Sequence, residues 1–323
     1  MRLLPTAEQA AFAASLDSLL AASDVPGAVR ARAAGDPAPS AALAARLAEA
    51  GVPALAVPEA HDGLGPLPTA AVVAFTELGR HAVPGPWVEG AAAAVLLAGA
   101  GEEALAKRFL PGLAGGTAPA TLTLPGAGPY APDADTVRHC FTVSAAGELR
   151  LSPGHGDPLP SLDPARRLFR PDPGGELLAD GPRVLAAAAD AALWARLLTA
   201  AQCVGLAEAL LARTVAYVRE RRQFGVPIGS FQAVKHRLAD TLIAIEFARP
   251  LVWGAAVTLD PRDVAAAKLA AGGAAHGAAA TALQSHGAIG YTEELALSLW
   301  LRKARPLREA WGGPGACRAA VLA

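Results

Sequence analysis

A mainly helical fold interrupted by one small β unit is what this sequence predicts. The expected parts are an N-terminal helical domain (residues 1–116), a reduced middle β domain (117–186) and a C-terminal four-helix bundle (187–323). Three observations carry that reading. Hydrophobic residues make up 53% of the chain, yet alanine supplies much of this and only 5% of residues are aromatic. Ala and Leu interspersed with Arg and Glu favour helices. Near Thr117 the texture changes to short β-branched runs bounded by Pro and Gly. After Val184 it changes back, and Asp190 to Arg222 runs without a proline.

Thr6 to Ala22 reads as an amphipathic helix, with Ala10, Phe12, Leu16, Leu19 and Leu20 spaced by threes and fours. Asp24 to Pro39, rich in Pro, Gly and Asp, is a loop or a broken helix. Ser40 is the expected N-cap of a helix over Ala41–Ala50, which Gly51 ends. Pro53, Pro58, Gly63 and Gly65 force a loop that helices cannot cross. Helices follow over Pro68–Arg80, with Val72, Val73, Phe75 and Leu78 inward, then over Trp87–Ala98 and Glu102–Ala114. Ala120–Leu124, Thr136–Val143 and Glu148–Ser152 read as strands. Residues 153–182 are compatible with turns of a small sheet or with a mobile loop.

The long helix ends near Arg222, Gly225 to Gly229 turn, and Ser230 caps a helix that reaches about Arg249, where Pro250 should kink or end it. Asp260-Pro261, an N-cap followed by a proline in the first helical position, starts a helix to about Ser285. Gly272, Gly273 and Gly277 inside it permit close backbone packing. Thr292 is the expected cap of a last helix, with Glu293 and Glu294 at the positive end of its dipole and Arg302, Lys303 and Arg305 at its end. Gly312 to Gly315 precede a short tail. Four antiparallel helices of this kind make a bundle.

A formal net charge of -1, from 28 basic and 29 acidic residues, gives no electrostatic basis for binding nucleic acid. Cys140, Cys203 and Cys317 lie far apart and read as reduced thiols of a cytoplasmic protein. The N-terminus lacks an apolar stretch of signal-peptide length, and the Ala-rich runs are too weakly hydrophobic to insert, so no membrane contact is expected. No H-x-x-x-H spacing or Cys/His cluster points to a metal. Gly112 to Gly116 lacks the frame of a phosphate loop, and no G-x-S-x-G elbow supports a serine nucleophile.

Charge, glycine, proline and amide side chains crowd together in one stretch, Arg221 to Asp240, RRQFGVPIGSFQAVKHRLAD. Two arginines at the end of one helix, beside the positive pole of the next, suit an anion and a diphosphate best. Arg221 to Gln232 also resembles the R-x-Q-F-G-x-P-I-x-x-F-Q signature of the acyl-CoA dehydrogenase family of flavoproteins. Gln284 to Tyr291, QSHGAIGY, resembles the family's Q-x-x-G-G-x-G-Y, and Gly51 to Gly65 resembles its N-terminal turn region.

The resemblance implies the family's three-part fold, FAD as cofactor, and α,β-dehydrogenation of an acyl-CoA thioester. In relatives a carboxylate removes the α-proton while the β-hydrogen leaves as hydride to the flavin. The arginine and glutamine of the two signatures grip the adenosine diphosphate end of a flavin seated mainly in a neighbouring subunit. Carried over by position, Arg221 pairs with the diphosphate, with Gln223 and Phe224 beside it, and Gln232 approaches the adenine end. Gln284, Gly287 and Ala288 form the second contact, Ala288 standing where relatives have a second glycine. His286 is read as polar packing rather than an acid or base, and His236 and His276 as surface or packing residues.

The catalytic half departs from the pattern. Relatives carry T-E-P-x-A-G-S-D facing the flavin ring; this chain reads Thr123-Leu124-Pro125-Gly126-Ala127-Gly128-Pro129-Tyr130. Proline offers neither an amide hydrogen nor a hydroxyl, so this half is not expected to hold the ring well. Relatives place their base in a Y-E-G or an E-R-L segment. The matching residues are Trp311-Gly312-Gly313 and Ala195-Arg196-Leu197, so Gly312 and Ala195 occupy the two base positions and no catalytic residue is assigned.

The expectation is therefore a subunit that shares FAD across an interface with a glutamate-bearing paralogue, in an α2β2 hetero-oligomer. Dehydrogenases for bulky, steroid-like acyl-CoAs resemble this division of labour, and relatives pass electrons to an electron-transfer flavoprotein. One alternative is a self-sufficient homo-oligomer with its base elsewhere, Asp190 and Glu208 being the nearest acids in sequence. The other is an interaction module that has lost flavin.

Overall fold

The computed structural model describes residues 4–323; residues 1–3 of the expected N-terminal domain lie outside the described residues. Six helices come first: α1 (Ala7–Ala21), α2 (Val25–Ala33), α3 (Ala38–Glu49), α4 (Pro68–Arg80), α5 (Trp87–Gly99) and α6 (Glu103–Ala114). Thr6 and Gln9 form a reciprocal capping box that starts α1. Asp24 accepts from the Gly27 amide to start α2, and Pro26 sits in a first turn where a missing amide costs little. Of the two readings for Asp24–Pro39, the broken helix is the one observed. Ser40 is not the N-cap of α3, because the helix begins two residues earlier, behind Pro37. Its hydroxyl instead donates to the Pro37 carbonyl and accepts from Arg32.

The middle unit holds β1 (Ala120–Thr123), β2 (Ala131–Pro132), β3 (His139–Val143), β4 (Leu149–Leu151), β5 (Leu168–Phe169) and β6 (Glu176–Ala179). Four of these form a sheet in the order β1-β3-β4-β6, parallel between β1 and β3 and antiparallel elsewhere. Strands β2 and β5 pair beside it. Residues 153–182 thus supply two strands and their turns. Phe141 is fully buried and meets Phe109 of α6 edge-to-face at 5.2 Å, which ties the sheet to the N-terminal helices.

Beyond it, α7 (Pro182–Glu220) runs 39 residues, about 59 Å at 1.5 Å per residue, and packs against α4, α5 and the later α9. Its crossing with α4 is close: a Cβ on Gly205 would strike the Thr76 carbonyl, and one on Gly79 the Gln202 backbone. A hairpin of β7 (Arg222–Gln223) and β8 (Val226–Pro227) leads to α8 (Gln232–Thr258), α9 (Pro261–His286), α10 (Leu297–Glu309) and α11 (Pro314–Leu322). Asp260 caps α9 by accepting from the Arg262 and Asp263 amides.

Four local expectations are corrected. Ser230 does not cap α8; it ends a 3-10 turn and donates to the Pro227 carbonyl, leaving Phe231 in the cap position. Pro250 does not end α8, because Ile245, Ala248, Val252, Ala255 and Ala256 bury one face of the helix on both sides of it. Thr292 does not cap α10; its hydroxyl closes a turn onto Ile289, the helix starts at Leu297, and Arg302, Lys303 and Arg305 lie within it. Of the three glycines in α9, only Gly272 meets a neighbour, the Arg308 side chain, whereas Gly273 and Gly277 face open space.

Candidate functional site

At one end of the bundle the turn between α7 and α8 is a tight hairpin whose central residues, Phe224 and Gly225, have φ of 52° and 80°. Two positive φ angles in a two-residue loop match the strand twist, at a cost for a non-glycine residue. Arg222 Nη2 donates to the Gly225 carbonyl at 2.8 Å and the Ile228 amide to the Arg221 carbonyl at 2.8 Å, so the loop is held by its own chain. Phe224 is 92% exposed at the tip, edge-on to Phe231. Arg221 is exposed, and among the described residues its guanidinium makes no hydrogen bond or ion pair. Gln223 and Gln232 are exposed beside it, the latter as the first residue of α8.

The second signature lies at the same end. Gln284 is exposed on the last turn of α9, followed by exposed Gly287 and Ala288; Gly287 has φ of 64° with open space where a Cβ would stand. His286 is buried, stacked on Tyr217 with ring centroids 4.0 Å apart, and its Nδ1 meets the Ala282 carbonyl at 2.7 Å. Burial lowers the His286 pKa, only partly offset by that hydrogen bond. Tyr217 receives the Arg221 amide on its carbonyl and points its hydroxyl at the His286 carbonyl, 3.5 Å away. Thr241 and Thr281, 3.0 Å apart, fasten the start of α8 to the end of α9. Both motifs are thus displayed together, with donors facing solvent.

A separate cleft of about 560 Å³ lies between the β unit and the α10–α11 joint, lined by the 122–130 loop, part of 160–168, and residues 305–316. None of the bundle-end residues lines it. Leu124 is 3% exposed, so the side chain standing where relatives have an acid is part of the core. Gly126 and Gly128 take positive φ with nothing within reach of a Cβ, and Tyr130 lies under the Arg170 guanidinium. The exposed bundle end has the donor types that the diphosphate half of FAD needs; the 124–130 loop, with two prolines and no side-chain amide, offers the ring half only the Tyr130 hydroxyl as a side-chain donor.

Trp311-Gly312-Gly313 is strongly anchored. Arg196 Nε donates to the Trp311 carbonyl at 3.0 Å, and Cys317 Sγ lies 3.3 Å from the Gly312 carbonyl. Lys268 Nζ donates to the Leu307 and Arg308 carbonyls at 2.9 and 2.8 Å and approaches that of Gly312; burial lowers its pKa. Trp311 Nε1 donates to Glu89 Oε1 at 3.1 Å. Gly312 has φ of 118°, and a Cβ there would lie 3.0 Å from Arg196 Nε. Ala195 is fully buried on α7, next to that same arginine.

Neither acid that sequence proximity suggested lines the cleft. Asp190 is exposed on α7, and Glu208 is held between Arg80 and Arg249 at 2.5 and 2.6 Å. The acids that do line it are Glu89 and Glu309, both missed in the sequence. Glu309 stands one helical turn before Gly312, a spacing that could have been noticed; Glu89 reaches the cleft only through the tertiary fold. Elsewhere, ligand atoms of Asp17, Glu77 and His81 lie within 4.8 Å of one another. Glu77 is already ion-paired with Arg80 at 2.9 Å and His81 hydrogen-bonded to Asp17 at 2.7 Å, so these atoms are engaged with protein partners. Helices α7 and α8 are long and apolar enough to cross a membrane, but α7 is largely enclosed by protein and α8 carries Asp240, Glu246 and Arg249.

Comparison with known proteins agrees with this architecture. Residues 6–117 match the family model for the acyl-CoA dehydrogenase N-terminal domain and residues 185–323 that for its C-terminal domain. Acyl-CoA dehydrogenase IpdE2 of Mycobacterium tuberculosis is 36% identical over 313 residues, covering 93% of this chain and 92% of that protein. Among solved structures, the Tcur3481-Tcur3483 steroid ACAD G363A variant superposes with a TM-score of 0.85 at 25% identity, over 98% of this chain and 96% of the other. The ChsE4-ChsE5 complex from Mycobacterium tuberculosis does so with a TM-score of 0.84 at 24% identity, over 100% and 98%. With both flanking domains matched and a relative similar along nearly its whole length, this chain belongs to the acyl-CoA dehydrogenase family.

Proposed function

We propose that this chain is the assisting subunit of a heteromeric acyl-CoA dehydrogenase, an α2β2 assembly of the cytoplasm. A glutamate-bearing paralogue supplies the base and seats the flavin ring. One contrast carries the reading: Arg221, Gln223, Phe224, Gln232, Gln284, Gly287 and Ala288 are presented to solvent at one end of the bundle, while Gly312, in the wall of the cleft, and Ala195, buried on α7 behind it, stand where relatives carry a base. FAD, when bound, accepts the β-hydride of the acyl-CoA. This chain's own part is to hold: Arg221 pairs with the diphosphate, Gln223, Gln232 and Gln284 offer amides, and Gly287 leaves room for close backbone approach.

The outer face of α8 supports a protein partner. Leu242, Ile243, Phe247, Leu251 and Val257 are all exposed along it, and Phe231 and Val226 extend the row toward the hairpin. Exposed apolar side chains concentrated on one helix, interspersed with the exposed acids Asp240 and Glu246, suit a protein partner. The unlike chains of the Tcur3481-Tcur3483 steroid ACAD, 25% identical to this one, support an unlike partner and a steroid-like acyl group; the family resemblance implies an electron-transfer flavoprotein as electron acceptor.

Flavin absorbance tests the reading. The chain purified alone should carry little flavin, and the chain co-expressed with its paralogue a single FAD for each pair of unlike chains. Arg221→Ala removes a charge-assisted contact of about 1.5–3 kcal/mol, weakening flavin retention about 10- to 150-fold. Full FAD occupancy with turnover by the isolated chain overturns the proposal. A second reading, a self-sufficient enzyme, is favoured by one observation only, the exposed Glu309 lining the cleft. It requires that Glu309→Gln abolish turnover of a homo-oligomer.

A further inference from the structure

A cavity of about 380 Å³ lies between α3, the first turns of α5 and the start of β1, and shares no lining residue with the cleft. Its floor is Val52, Phe75, Leu113 and Ala120, all buried; its mouth opens past Ala41 and Ala45, which are exposed. Taking the ~30 Å³ of a water as the unit, it has room for about a dozen methylene-sized groups. That volume is within the range of small-molecule sites.

The wall is mostly hydrocarbon; its polar side chains are Arg32, Ser40, Thr136 and Asp135, the last paired with Arg167 at 2.7 Å and adding a negative charge that disfavours an anionic ligand. Arg32, 4% exposed, lines the cavity together with Ser40 and Thr136. Its guanidinium pairs with Asp133 at 2.9 Å and donates to Ser40 Oγ at 2.9 Å and Thr136 Oγ1 at 2.8 Å. Its hydrogen bonds use Nε, which reaches Asp133 Oδ1 at 3.3 Å, and one hydrogen each on Nη1 and Nη2, so two of its five N–H groups make no hydrogen bond. Asp133 already balances the charge of Arg32. An incoming carboxylate would lose its water without gaining a free counter-charge, whereas a carbonyl or hydroxyl oxygen needs only one fixed donor.

We propose that this cavity binds a neutral ligand with a hydrocarbon body and one oxygen function, a ketone or an alcohol, its oxygen at the Arg32–Ser40 corner and its body over Phe75 and Leu113. The site is independent of the dehydrogenase reading.

The test is ligand-observed NMR on the full chain with 2-decanone and with decanoate. The ketone should bind at least ten times more tightly than the carboxylate. Ala44→Phe, which projects a ring into the cavity from α3, should weaken ketone binding at least tenfold while the chain remains folded. Ala91→Leu, from the opposite wall, should do the same if the first variant fails to fold. Absence of ketone binding at its solubility limit, equal binding of decanoate, or unchanged ketone binding in a folded cavity-filling variant overturns the proposal.

Discussion

Putting a glutamate back at position 312 should not restore a base. Gly312 has φ of 118°, a region that side chains with a Cβ enter only under strain, at about 1–3 kcal/mol. The added Cβ would also lie 3.0 Å from Arg196 Nε, and Arg196 cannot retreat without giving up its 3.0 Å bond to the Trp311 carbonyl. A lost hydrogen bond adds about 1 kcal/mol, so Gly312→Glu should cost roughly 2–4 kcal/mol. Gly312→Ala, with the same backbone and Cβ, should cost nearly as much. At about 2.1 cal/mol/K per residue, 3 kcal/mol in a chain of this size lowers Tm by about 4 °C. Calorimetry of both variants measures the cost, and an acyl-CoA dehydrogenation assay of the Glu variant, with and without added FAD, measures any gain. A Gly312→Glu chain that melts within 1 °C of the parent and turns over acyl-CoA unaided would refute the claim that the backbone, as well as the side chain, has left catalysis.

Gly205→Ala drives a methyl into the Thr76 carbonyl at the α4–α7 crossing and should destabilise by about 3 kcal/mol or more, read from urea midpoints. Phe247→Asp, at a residue 73% exposed on the outer face of α8, should leave Tm of the isolated chain within a degree but abolish co-purification with the proposed partner. Asp133 is almost wholly buried, and desolvation, opposed by Arg32, pushes its pKa up to about 6 from 3.8. Because the folded chain holds this proton more tightly, its contribution is fully present below pH 3.8 and is lost as pH rises through about 6. The stability deficit of Asp133→Asn should therefore shrink by up to about 3 kcal/mol between pH 4 and 7, measured by urea titration at each pH.

The helices were legible because their signals are local. The apolar spacing of Leu16, Leu19 and Leu20 and the start signal of Asp260 with Pro261 each act within about one turn. The errors arose where a local signal competed with a tertiary one. Ser40, Ser230 and Thr292 all look like caps, yet each hydroxyl turns back onto a carbonyl three residues earlier. Pro250 looks like a stop, yet helix α8 continues because its buried face spans the proline. The bundle-end residues were readable as a contiguous motif plus a second one that α9 returns to the same end. The cleft was less so. Glu89 reaches it from a helix more than two hundred residues before Trp311, and nothing in one sequence joins the two.

That pairing also bears on how the cleft keeps its shape with glycine at position 312. The Trp311–Gly313 segment is held by Arg196, Lys268 and Cys317 from three helices and by Glu89 from a fourth. Glu89 is 4% exposed and also faces Arg166 at 3.5 Å, so its carboxylate is engaged in holding rather than free to accept a substrate proton. Lys268 satisfies carbonyls at the end of α10 that the helix itself leaves unpaired. The segment therefore serves the joint between α10 and α11 whether or not it carries an acid. Constraint on its shape and constraint on its chemistry are separable here: none of the contacts that hold this segment needs an acid at position 312, so the wall of the cleft keeps its form with glycine there.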